Sequence, residues 1–152
     1  MQFKNFQNEV IPDIIVYVNN YLTSRKDVEI LIGSDSQCYG SRKTVYGVVI
    51  ALYTKGKGAH VLYKKETVGI EKNTPVRLMT EVWKAIEVAE YLTQNGLPNP
   101  RYIEIDINPD PKYKSNSVFR SAMGLISGMG YIPRCKHGGV MSTYAANNLV
   151  RS

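Results

Sequence analysis

The stretch Val28-Glu29-Ile30-Leu31-Ile32-Gly33-Ser34-Asp35-Ser36-Gln37 constrains this chain more than any other. An apolar run of this length, rich in Ile and Leu, suits a strand buried on both faces. It ends in a glycine and then in an aspartate between two serines. An ionised Asp is expensive to bury unless a cation or a donor meets it. Asp35 therefore reads as the first ligand of a site, or as the opening of an Asp-Ser turn that binds backbone amides.

Glu9 to Thr23 carries Val10, Ile14, Ile15, Val18 and Leu22 near helical spacing, with Pro12 in the first turn, and predicts an N-terminal helix. Thr44–Tyr53 and Ala59–Val68 are β-branched and tyrosine-rich, and Thr54-Lys55-Gly56-Lys57-Gly58 between them is a glycine-bearing hairpin. With the first strand they predict an antiparallel meander. Pro75 to Gln94 is the longest helical segment, stopped by Asn95-Gly96. Arg101 to Ile107 alternates Ile103, Ile105 and Ile107 with Glu104 and Asp106 and predicts a fourth strand. Ser117–Gly128 predicts a helix, Tyr131–Lys136 a fifth strand and Met141–Val150 a last helix. The order implies an α/β fold: a five-stranded mixed sheet, three strands antiparallel and then parallel members, with helices on both faces and an extra N-terminal helix.

At 152 residues, 43% of them hydrophobic, the expectation is one soluble domain, 1–152. No apolar run is long enough to cross a bilayer, and Met1–Glu9 lacks the features of a secretion signal. Cys38 and Cys135 lie far apart and form no metal-type pair, which suits a reduced, cytoplasmic protein. A net charge of +6 and a pI near 9.3 favour a polyanionic partner.

Three acids stand at informative places. Asp35 ends the first strand, Glu81 lies in the first turns of the long helix, and Asp106 lies near the C-terminal end of the fourth strand, where α/β sheets build their sites. If the first and fourth strands are parallel neighbours, their carboxylates meet and the helix lowers Glu81 onto the same spot. Three such groups cannot all stay ionised without a counter-charge, which Mg2+ or Mn2+ supplies. Two such ions suit phosphodiester cleavage. Each acid also has a plainer role. Glu81 complements a helix start, and Asp106 accepts amide hydrogen bonds. Glu104 is an alternative to Asp106, and Asp110 in its Asp-Pro turn is a further acid within reach. Ser36 and Gln37 either form the turn or touch a phosphate or ribose.

In this element order the chain resembles the ribonuclease H-like superfamily. The resemblance rests on Ile32-Gly33-Ser34-Asp35-Ser36-Gln37-Cys38, on Leu78-Met79-Thr80-Glu81-Val82-Trp83 and on Ile105-Asp106-Ile107-Asn108. With Gly128-Met129-Gly130-Tyr131 and Ser142-Thr143-Tyr144-Ala145-Ala146-Asn147, the whole chain is similar to the small bacterial and phage YkuK-type group of that superfamily. The resemblance implies Asp35, Glu81 and Asp106 as metal ligands. It places Asn147 where the nuclease pattern has a fourth acid on the last helix, and an amide oxygen there adds a ligand but no charge. It gives His137 a role in moving protons or releasing product. Lys112, Lys114, Arg134 and Lys136 read as a phosphate path, and Tyr113 as a stacking platform. The expected activity is a two-metal nuclease acting on RNA, including RNA in an RNA–DNA hybrid. The alternative is a binding module that kept the fold and lost turnover, which Asn147 favours.

Overall fold

The computed structural model describes residues 1–107, 112, 118–135 and 150–151. Its elements are β1 (Phe3–Asn5), β2 (Val10–Ile11), α1 (Ile14–Thr23), β3 (Val28–Tyr39), β4 (Lys43–Thr54), β5 (Gly58–Gly69), α2 (Thr74–Gln94), β6 (Tyr102–Ile105), α3 (Phe119–Gly128) and β7 (Pro133–Cys135). They build one mixed sheet in the order β2-β1-β5-β4-β3-β6-β7.

The predicted meander is present. β3 pairs antiparallel with β4 from Val28↔Thr54 to Tyr39↔Lys43, and β4 pairs with β5 over its full length. β6 joins the other edge of β3 in parallel, with Leu31↔Tyr102 and Gly33↔Glu104, and β7 follows in parallel with Glu104↔Arg134. The first and fourth predicted strands are therefore parallel neighbours.

The sheet has seven strands, not five. The two extra strands come from the N-terminus: β1 pairs with β2, and β1 also adds to the outer edge of β5. Strands of three and two residues are too short to show a period, and Val10 lies inside the stretch read as helix. The helix begins at Ile14 because Asp13 caps it, its side chain accepting from the amides of Ile15 and Val16 at 3.0 and 3.1 Å. Asn73 caps α2 in the same way, accepting from Val76, with Pro75 in the first turn. Asn95-Gly96 ends α2 as expected. Gly96 has φ +91°, a left-handed conformation open to glycine, and the Leu97 amide returns to the Leu92 carbonyl.

Strand alternation divides the burial into two faces. Ile30 and Ile32 of β3 meet Val48, Ile50 and Leu52 of β4 and the buried stripes of all three helices, including Val18, Val82, Ile86 and Ile126. Each such side chain taken fully from water contributes about 1.5–3 kcal/mol before entropy is counted. Leu31, Val49 and Ala51 form a smaller cluster on the other face with Tyr53, Tyr63 and Tyr102.

The expectation of helices on both faces holds only in part among the described residues, because α1, α2 and α3 all pack on the first face. The expected helix 141–150 lies outside the described residues apart from its end. Val150 and Arg151 are helical, Val150 is buried, and its carbonyl accepts from the Tyr39 hydroxyl. Tyr39 shares the parity of Leu31 on β3, so this contact lies on the second face. Among the described residues no helix is long and apolar enough to cross a membrane.

Candidate active site

Ser34 and Ser36 of β3 face α2, and the Asp35 carboxylate between them is within hydrogen-bonding reach of Glu81. Both serines are buried and both bind Glu81. Ser34 Oγ donates to the Glu81 carbonyl oxygen at 2.7 Å, and Ser36 Oγ donates to Glu81 Oε2 at 2.7 Å. Arg77, one turn earlier on α2, donates from Nη1 to Ser36 Oγ at 2.9 Å. The Gly-Ser-Asp-Ser string thus uses its serines to clamp a helix to a strand and holds the Glu81 carboxylate in one orientation. Ser36, expected at the nucleic acid, faces inward. Glu81 is only 5% exposed and sits among Leu78, Val82 and Ala85 on the buried stripe of α2.

β6 is registered with β3 only from Leu31↔Tyr102 to Gly33↔Glu104. Among the described residues the ladder ends there, and Asp35 lies just past it on β3. Asp106 follows the end of β6 directly, and its charge acts on Asp35 just past the end of the ladder. The three acids share one electrostatic neighbourhood. Burial, and next the charge of Asp106, push the Asp35 carboxyl up to about 6, while the Ser36 amide, donating to Asp35 Oδ1 at 2.8 Å, and the charge of Arg151 pull it down. Burial pushes Glu81 well above the ordinary carboxylate range, and the adjacent Asp35 charge pushes it further. The Ser36 hydroxyl and Arg77 oppose that shift. Two buried carboxylates that resist ionising together are what like charges at close range produce.

The donor set fits a hard divalent cation: oxygen ligands, negative charge in excess, and partial burial. Among the described residues, however, no three His, Cys, Asp or Glu side chains already stand together as a coordination set. Glu81 is turned to Ser36 in this structure. Asp35, Glu81 and Asp106 are therefore neighbours that a cation would have to draw closer.

The other predicted residues divide. Glu104, the alternative to Asp106, is fully buried and accepts from Arg134 Nε and Nη2 at 2.9 and 2.5 Å. The Arg134 guanidinium also lies 4.2 Å above the Tyr102 ring. Arg134, read as part of a phosphate path, is instead tied to a core acid on the adjacent strand. Gln37 is half-buried and its amide donates to the Cys38 carbonyl, while Lys112 is exposed in a turn. Asp110, Tyr113, Lys114, Lys136, His137 and Asn147 lie outside the described residues. Two cations escaped the sequence reading. Arg77 stands one turn before Glu81, a spacing that does pair side chains on a helix face. Arg151, near the chain's end, has no local signal linking it to Asp35.

The sequence model for ribonuclease H-like proteins matches residues 9–151. The chain belongs to the ribonuclease H-like family. That match takes in all three acids and the segment holding His137 and Asn147. No curated protein matches the chain. Among solved structures, this ribonuclease H-like chain is similar to endonuclease V of Ciona intestinalis, crystallised with a 24mer DNA containing an inosine followed by a ribo-adenosine. The TM-score is 0.45 at 17% identity, over 82% of this chain and 56% of the other. The chain thus spans little more than half the length of that enzyme.

Proposed function

We propose that this chain is a metal-dependent nuclease that hydrolyses phosphodiester bonds of RNA, including RNA paired with DNA. The observation that carries the reading is the burial of Asp35 beside Glu81 with Asp106 adjacent, an arrangement whose ionisation is penalised until a cation arrives. Asp35, Glu81 and Asp106 would hold two Mg2+ or Mn2+ ions, with Asn147 as an uncharged fourth ligand and His137 as the proton carrier. Ions held there activate a water and stabilise the leaving oxygen. The chain's own part is preorganisation. The chain Arg77–Ser36–Glu81 fixes one carboxylate from α2, and the charge of Asp106, just past the end of β6, acting on Asp35 supports its part in the site. Lys112, Tyr113, Lys114 and Lys136, with Gln37, would contact the substrate strand.

A second reading, a nucleic-acid-binding module without turnover, draws support from Arg77 and Arg151. Their charges act on Glu81 and Asp35 and partly do a cation's work. One experiment separates the two. The chain and its Asp35→Asn variant are incubated with labelled RNA–DNA hybrid, single-stranded RNA, duplex RNA and DNA, in Mg2+ or Mn2+. The nuclease reading expects divalent-dependent cutting of RNA that vanishes in the variant. Tight binding without cutting by either protein would replace it with the second reading.

A further inference from the structure

A cleft of about 1170 Å³ lies at the opposite end of β3 from the acids. It is bounded by the C-terminal end of α1, the start of β3 and the β4–β5 hairpin. Glu29 at this end and Asp35 at the other belong to one strand, so at roughly 3.3 Å per residue the two regions stand about 20 Å apart.

The cleft is cationic. Arg25, Lys26, Lys55 and Lys57 line it, all exposed, against two carboxylates, Asp27 and Glu29. Its cations are held by different devices. Arg25 Nη1 donates to Ser24 Oγ at 2.9 Å, and its guanidinium lies 3.9 Å above the Tyr21 ring. Tyr21 in turn stacks on His60, 5.2 Å between centroids and 8° from parallel. His60 is fixed by the Tyr17 hydroxyl 2.6 Å from Nε2. Burial and the Arg25 charge lower the His60 pKa. Arg25 is therefore a guanidinium whose orientation is set before any ligand arrives. A preset planar fork suits the paired oxygens of a phosphate. Across the cleft, Gly56 at φ +79° lets the hairpin turn tightly, which places Lys55 and Lys57 on either side of its tip.

We propose that this cleft is a second nucleic-acid contact, an exosite that grips the phosphodiester backbone of single-stranded nucleic acid away from the acids. Its partner class rests on the nucleic-acid reading above, but it requires no catalysis. Arg25 supplies a fixed bidentate donor, and Lys26, Lys55 and Lys57 supply counter-charge. A strand long enough to span about 20 Å would engage both ends of β3 and gain affinity from the second contact.

The test measures anisotropy of a dye-labelled oligouridylate of about 12 nucleotides, in EDTA, over a range of salt concentrations. The proteins are wild type, the double variant R25Q/K57Q, and a charge-matched control, K4Q/K65Q, on another part of the surface. The cleft variant should bind about 10-fold more weakly, with a salt slope shallower by about 1.4 in log K against log salt, while the control stays near wild type. Equal losses in the two variants would overturn the exosite in favour of diffuse attraction. Absence of wild-type binding would overturn it too. Competition by inorganic phosphate at sub-millimolar concentration would also overturn it, by showing a small-anion site. The cleavage assay stands apart: cutting that depends on Asp35 but not on Arg25 and Lys57 would sink the exosite and leave the nuclease reading intact.

Discussion

Glu81 and Glu104 are both acids in the interior, at 5% and 0% exposure, and they are built in opposite ways. Glu104 has a guanidinium registered beside it on the next strand, and two hydrogen bonds to it satisfy the carboxylate. Glu81 has a serine hydroxyl, an arginine one step removed, and another carboxylate as neighbour. The first arrangement is complete without a ligand. The second resists full ionisation of its carboxylates, with Arg77 and Arg151 only partly opposing that resistance. Burial of an acid is thus no sign of function by itself; what distinguishes the two is whether the fold brings its own cation into contact.

The largest effect that would sharpen this contrast is expected at Arg134. Arg134→Ala strands Glu104 in the core and should destabilise the chain by about 3–5 kcal/mol, read by urea unfolding. A loss below about 1 kcal/mol would mean that Glu104 has other adequate support.

Next comes metal. Mn2+ at about 100 times its Kd should stabilise the wild type by about 2.7 kcal/mol. The gain should disappear in Asp35→Asn and persist in Glu104→Gln corrected for its own stability. A thermal melt that ignores millimolar Mn2+ would remove the reason for treating Glu81 as special.

The third effect is the pH dependence of the metal-free chain. The folded-state value of Asp35, about 6, exceeds its ordinary 3.8, so the folded chain holds that proton more tightly than the unfolded chain does. Its contribution is therefore most favourable below pH 3.8 and is lost as pH rises towards and through 6. Asp35→Asn cannot ionise and should be more stable than wild type at pH 8, on the order of 2 kcal/mol, with a flatter profile across this window. Equal slopes for the two proteins would show that Asp35 is adequately compensated.

The smallest effect is expected at Arg77. Arg77→Ala removes the donor to Ser36 and should cost about 1 kcal/mol. If the nuclease reading holds, it should lower turnover more than substrate affinity, because it loosens the orientation of Glu81 and touches no substrate.

Much of the framework was legible in residues because it rests on local chemistry. The apolar run into Asp35, the Lys55-Gly56-Lys57 hairpin, the capped start of α2 and its Gly96 stop are all set by neighbours in the chain. Asp35 and Asp106 could be brought together on paper because parallel order follows from the alternation of elements. The two N-terminal strands could not be seen. With two or three residues each, they owe their existence to an unpaired edge of β5, and an edge is a property of the folded sheet.

The sequence by itself determined which residues carry carboxylates at strand and helix ends, and so which chemistry is available. Only the tertiary structure decided which acid is satisfied and which is left in need. That choice turns on register and on which way a side chain points: Glu104 meets Arg134 because β6 and β7 align there, and Ser36 turns inward to Glu81 because strand parity puts it on the helix side. Electrostatic energies change steeply over a few ångströms, and no local pattern in the chain encodes distances between segments so far apart.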